Sequence, residues 1–221
     1  MSFHSRLFLT LFVAAPLAAR ADKPRKASPP LPAAQYASHD THQQVTIAAD
    51  PGDSKDSAPK TRIDYLAHGF MPIRIIVTND SSQPLSLDDA RILFVAANNF
   101  TENAATQDEL DRGIYSLKRD VKGSKIPLPG PLPPITHRDK PPDTQIADDD
   151  RDFGFKTSTV APHSTQAGWL YYDIRDLDRD PLKGATIELR RVRWASTNKL
   201  LDTFEIQLVP IGPGASSNTN H

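Results

Sequence analysis

Two apolar runs between His68 and Ala96 constrain this chain more than any other feature. In the first, Ile73, Ile75 and Val77 alternate with Arg74, Ile76 and Thr78. That period of two puts successive side chains on opposite faces of a strand. Asn79, Asp80, Ser81 and Ser82 then interrupt the run, because short polar side chains hydrogen-bond their own backbone and favour turns. The second run, 90–96, resumes the alternation with Ile92 and Phe94. Two strands joined by a polar break read as a central hairpin, the seed of a β-sandwich.

Such a fold has to be held by its core, because the chain has no cysteine. That excludes a disulfide framework, a thiolate zinc site and a lipid-modified N-terminal cysteine. Residues 1–21 carry a secretory pattern: Arg6 in a short charged start, an apolar run over 7–17, and Ala19-Arg20-Ala21 as a small-x-small cleavage site. The run falls short of the roughly 20 residues a membrane-spanning helix needs. Export to the periplasm or outside the cell is expected, with the mature chain starting at Asp22. The alternative is an uncleaved N-terminal anchor. Cleavage removes two arginines and no acid, which changes the formal charge from −1 to −3. A near-neutral balance gives no reason to expect nucleic acid or an anionic membrane as partner. The remaining chain, about 200 residues, is long enough for one domain.

Residues 22–43 are rich in Pro, Ala, Lys and Ser with little to bury, and read as a flexible or polyproline-like tether. The sandwich is expected over 44–210. Val45 and Ile47 suggest a short first strand at an edge, followed by a polar loop over 50–57 that leads through Ile63 and Leu66 to the central runs. Within 98–152 the strand pattern lapses. Thr106 and Glu109 form a capping box, and Leu110, Ile114, Leu117 and Val121 recur on one helical face, so a helix is predicted over 106–118. Gly113 inside it should cost about 1 kcal/mol relative to alanine. Residues 123–152 hold two proline clusters and read as a long loop, since proline lacks a donor and fixes φ. Further strands are predicted over 153–160, 168–174, 184–189 and 203–209, with Leu170, Tyr172 and Ile174, then Ala185, Ile187 and Leu189, then Phe204, Ile206 and Leu208 facing inward. The tail, 211–221, is expected to fray. About seven short strands with turns between them predict an all-β, immunoglobulin-like sandwich with one inserted helix and a proline-rich loop.

The strand end at Val77-Thr78-Asn79, the Ala161-Pro162 turn that leads through Gly168 into an aromatic strand, and the final Phe204-Glu205-Ile206 strand resemble the layout of small immunoglobulin-like domains in exported bacterial proteins of uncharacterised function. The match covers residues 63–209 apart from the insertion. These are packing and turn motifs, so the resemblance implies a fold and no active site.

Several groups offer chemistry, each with a plainer reading. Asp176, Asp178 and Asp180 alternate as calcium ligands do, but Pro181 and Ile187 stand where an EF-hand loop needs glycine and glutamate. Arg175 and Arg179 suit a salt-bridged turn equally. His39 and His42 lack the helix that fixes an H-x-x-x-H pair on zinc. No nucleophile elbow or phosphate loop is present, so no catalytic residue and no cofactor is assigned. Leu128, Pro131 and Pro133 fit a polyproline II ligand for a partner's aromatic groove, or a solvated insertion. Trp169 and Tyr171 alternate on one strand face as a binding platform would, or cover the core. Asn79 and Asn99 each begin a glycosylation sequon, and both read as turn residues. The expectation is a non-catalytic module contacting an envelope or extracellular protein. The alternative is a hydrolase or carbohydrate-active domain working through carboxylates that the sequence does not single out.

Overall fold

A computed structural model describes residues 27–121, 142–177 and 179–209. The signal pattern, the tail, Asp178 and the segment holding Leu128, Pro131 and Pro133 lie outside them. The strands are β1 (His39–His42), β2 (Val45–Pro51), β3 (Phe70–Asn79), β4 (Leu85–Ser86), β5 (Arg91–Val95), β6 (Thr101–Asn103), β7 (Thr159–Val160), β8 (Ser164–Asp173), β9 (Thr186–Arg190), β10 (Arg193–Trp194) and β11 (Phe204–Gln207). Two helices, α1 (Gln107–Val121) and α2 (Pro142–Phe153), separate β6 from β7. The protein is thus mostly antiparallel β-sheet with few helices. One four-stranded sheet runs β1-β2-β3-β8, another β11-β9-β5-β6, and a small third one β10-β4-β7.

β3 sits at the centre and sorts its side chains as its alternation requires. Met71, Ile73, Ile75 and Val77 join Val45, Ile47, Ala49 and Tyr172 on the inner face of the first sheet. Facing them in the same core are Phe94, Ile187, Leu189, Phe204 and Ile206 from the second sheet. The inward positions expected on the last three strands are buried or packed against this core.

The two central runs do not form a hairpin. β3 and β5 lie in different sheets, and the turn between them carries the chain from one layer to the other. Its pivot is Asn79, fully buried, whose Nδ2 donates to the carbonyls of Gln83, Val160 and Ala161 while its Oδ1 accepts from Ser81. Nor is β2 an edge. β1, within the expected tether, pairs with it from His39↔Ala48 to His42↔Val45. The two-residue turn puts Gln43 and Gln44 at φ 52° and 64°, as a type I′ hairpin demands.

The outer face of the first sheet is roofed. Phe70, Trp169 and Tyr171 pack with Leu110 and Ile114 of α1 and Ile146 and Phe153 of α2. Farther along, Ala33, in a 3-10 turn at Ala33–Gln35, is fully buried against Ala48 and Ile76, and its N–H donates to Thr78 Oγ1 at 2.8 Å. Residues 33–42 therefore belong to the folded body.

Candidate functional site

α1 starts as its capping box requires. Glu109 accepts from the Thr106 N–H and hydroxyl at 2.8 Å each, which holds its carboxyl below the usual range. Leu110 and Ile114 then face the roofed sheet. The second helix was not legible as one. The sequence predicts loop over 142–152 and strand over 153–160, but α2 runs to Phe153, and of the expected strand only Thr159–Val160 forms one, with Gly154 in an isolated bridge to Trp169. Pro142 in the first turn is a helix-start signal. The buried face it opens is Ile146, Asp149 and Phe153. An acid in its middle interrupts the apolar periodicity that would have marked the helix.

That acid is the centre of a buried ion cluster. Asp149, fully buried, accepts from the Arg62 backbone N–H at 2.9 Å, the Ile63 N–H at 3.2 Å and Arg62 Nη1 at 2.9 Å, with Tyr65 Oη at 3.4 Å. Arg62 Nη2 donates to Asp152 at 2.8 Å, and Arg62 Nε lies 3.9 Å from Asp148. Burial alone would lower the Arg62 pKa, but its bonds to Asp149 and Asp152 outweigh burial and raise it. The cluster staples residues 61–65 to α2. Its chemistry is structural, since each carboxylate is engaged by cations or backbone N–H groups rather than directed at an open cleft.

The proposed aromatic platform is not exposed. Trp169 and Tyr171 are 7% and 6% exposed, because α1, α2 and Tyr65 cover them; the Tyr65 and Tyr171 rings lie 4.1 Å apart. Burial also pushes both phenols up. Asp176 and Asp180 are exposed, Asp173 is paired with Arg175, and among the described residues no three His, Asp or Glu side chains converge as metal ligands. His39 and His42 stand on opposite faces of β1: His39 Nδ1 lies 2.7 Å from the Tyr36 carbonyl, and His42 Nε2 3.0 Å from Asp40. Among the described residues, no helix is long and apolar enough to cross a membrane.

The second sheet offers a different surface. Neither helix belongs to its packing clusters, and its outer positions follow the register in rows. Arg91 stands opposite Arg190; Leu93 is flanked by Glu188 and Asn103, with Glu205 beyond; Val95 is flanked by Thr186 and Thr101, with Gln207 beyond. Glu188 pairs with Arg190. Leu93 is itself only 8% exposed and Val95 half-buried, and the exposed positions around them, Arg91, Arg190, Glu205, Gln207, Thr101 and Asn103, are polar or charged with mixed sign. The alternation of 91–95 signalled this face, but sequence reading had assigned only the inward half.

No family model matches the chain. It is 30% identical over 123 residues to protein PafC of Mycobacterium tuberculosis in two strains, which covers 54% of this chain and 34% of that protein. The chain thus spans about a third of the length of these relatives. A conserved hypothetical protein from Bacillus anthracis matches over 75% of this chain and 90% of its own at 10% identity, with a TM-score of 0.28.

Proposed function

We propose that the chain is an exported immunoglobulin-like module that binds a protein partner at the bacterial cell envelope and performs no catalysis of its own. The observation that carries this reading is the asymmetry between the two large sheets. One outer face is roofed by helices and the 3-10 turn at Ala33–Gln35, whereas among the described residues no helix packs on the other, which presents exposed polar and charged side chains around the half-buried Val95. A reversible protein interface need be no more apolar than the rest of a protein's surface, so an open face of mixed charge suits one.

The strand order supports the immunoglobulin-like part. β2, β3 and β8 neighbour one another as strands A, B and E do, and β6, β5, β9 and β11 as C′, C, F and G do. In that scheme β1 is an added hairpin arm, and the helices replace the C′-to-E connection. The charged start, apolar run and small-x-small site over 1–21 support export.

The test places a photo-cross-linking residue at Thr186, on the open face, or at Asp108, on α1, in the full chain expressed with its leader. The expected result is mature protein beginning at Asp22 outside the cytoplasm and a discrete adduct from Thr186 alone. Intact Met1 protein confined to the cytoplasm, or the same adducts from both positions, overturns the reading.

A further inference from the structure

One row across the roofed sheet brings together three side chains of different chemistry. Asp50 on β2 is opposite Arg74 on β3, and Arg74 is opposite Trp169 on β8. Even-numbered β3 positions face outward, so the carboxylate, guanidinium and indole share one surface. They line a cavity of about 370 Å³, whose other walls include Phe153, Pro59 and Ser28.

Among the described residues, neither charge is saturated. Arg74 Nη2 donates to the Ser28 carbonyl at 2.5 Å, but its Nε is buried without an acceptor. A buried donor in that state carries a desolvation penalty that an acceptor would remove. Asp50 and Arg74 are neighbours without a direct ion pair, and burial, ahead of the opposing pull of Arg74, raises the Asp50 pKa. A cation beside Asp50 would relieve that strain. Cα atoms on adjacent strands stand about 4.5–5.5 Å apart. An ammonium on Asp50 and a carboxylate on the half-buried Arg74 guanidinium can thus belong to one small molecule, with Trp169 and Phe153 left for an apolar side chain.

We propose that this cavity binds a free α-amino acid with an apolar side chain, its ammonium on Asp50, its carboxylate on Arg74 and its side chain against Trp169. The site lies on the sheet opposite the proposed partner face, so it stands or falls separately from that reading.

The probes are L-leucine, 4-methylpentanoate and isoamylamine, which share one alkyl chain and differ in their charges. Each is titrated into the full chain carrying Trp194→Phe, which leaves Trp169 as the sole tryptophan of the two. Saturable change in Trp169 emission, together with a rise in Tm, is expected with leucine. 4-Methylpentanoate and isoamylamine should each bind at least about tenfold more weakly, since each forfeits one charged contact. Asp50→Asn should weaken leucine by a similar factor with little change in 4-methylpentanoate. The comparison of the three probes on one folded protein decides the question even if Asp50→Asn misfolds. No saturable response to leucine, or equal responses to all three probes, overturns the proposal.

Discussion

Arg62 offers Asp149 both its backbone N–H and its Nη1, each at 2.9 Å, so one residue of a loop grips a helix by main chain and side chain together. Arg62 is the cation that links residues 61–65 to the buried Asp149 and Asp152, whose side chains are 0% and 3% exposed. Truncation of Arg62 to alanine takes the guanidinium from both carboxylates, leaving Asp149 its backbone N–H donors and Asp152 its bond to Arg151, and removing one partner of a buried pair costs up to about 3–5 kcal/mol. Arg151 bonds Asp148 from a side chain that is 59% exposed, where solvent screens the pair, and Arg151→Ala should cost far less. Urea unfolding of the two variants checks the contrast, read as a fall in midpoint at unchanged slope. Equal midpoints would show that the cluster does not hold the loop to α2.

A second prediction reverses a rule of helix propensity. Gly113 lies in α1, and an exposed glycine there should gain about 1 kcal/mol on replacement by alanine. A methyl group at Gly113 would, however, stand 2.5 Å from Phe70 Cζ, and Phe70 is 1% exposed beneath the Arg175 guanidinium, 5.1 Å from its ring centre. Gly113→Ala should therefore destabilise by about 1–3 kcal/mol through overpacking. The double variant with Phe70→Leu should recover part of that loss. A Gly113→Ala protein with a raised Tm would mean that α1 moves away from the sheet at little cost.

What the sequence disclosed follows from where a single physical pattern ruled a segment. β3, β9 and β11 alternate because one face of each meets the core, so their inward residues were legible one by one. α1 showed itself through Thr106, Glu109, Leu110 and Ile114. Segments that mix signals were not legible. β1 turns into β2 through Gln43 and Gln44, which adopt positive φ without the glycine or asparagine that marks such turns. α2 buries Asp149 where a leucine would have betrayed a helix. Trp169 and Tyr171 alternate as a surface platform would, and only the placement of the insertion over β8 decides that they are covered. The row of Asp50, Arg74 and Trp169 comes from three distant strands, and no local spacing could have announced it.

Asn79 yields a third prediction. As the first residue of a sequon it is a nominal glycan acceptor, yet its Nδ2 is committed to three carbonyls in a fully buried side chain. Asn79→Ala leaves those acceptors and the Ser81 hydroxyl to be rearranged, at about 1–3 kcal/mol for each group left buried and unsatisfied. Asn99, exposed in its turn at φ 63°, makes no comparable bonds through its side chain among the described residues, and Asn99→Gly should change Tm little because glycine tolerates that φ. Thermal unfolding of the two variants separates them. An unaffected Tm in Asn79→Ala would show that the β3–β4 turn holds without its amide.

The last prediction concerns acid. Glu102 on β6 has its pKa raised, first by burial and then by Asp173, Glu109 and Asp176, while Asp173 has its own lowered, first by its bond to Arg175. The two act oppositely on stability. An acid with a raised folded pKa holds a proton that the unfolded chain has released, so stability falls as pH rises from the ordinary glutamate value, about 4.3, through the folded one. The penalty is complete above that window and absent below it. Glu102→Gln should thus raise stability at pH 7, by no more than about 0.5 kcal/mol because solvent screens the group, with the gain, read as a higher Tm, fading at pH 4 and below. Asp173 contributes stability that is present above its unfolded pKa, about 3.9, and is lost as pH falls through its lower folded value. Asp173→Asn should therefore lower Tm at pH 7, and the gap to wild type should close in strong acid. Tm measured across this pH range for wild type and both variants checks the pair. A Glu102→Gln protein that is less stable than wild type at pH 7 would mean that Glu102 gains more from a cation than it loses to its acidic neighbours.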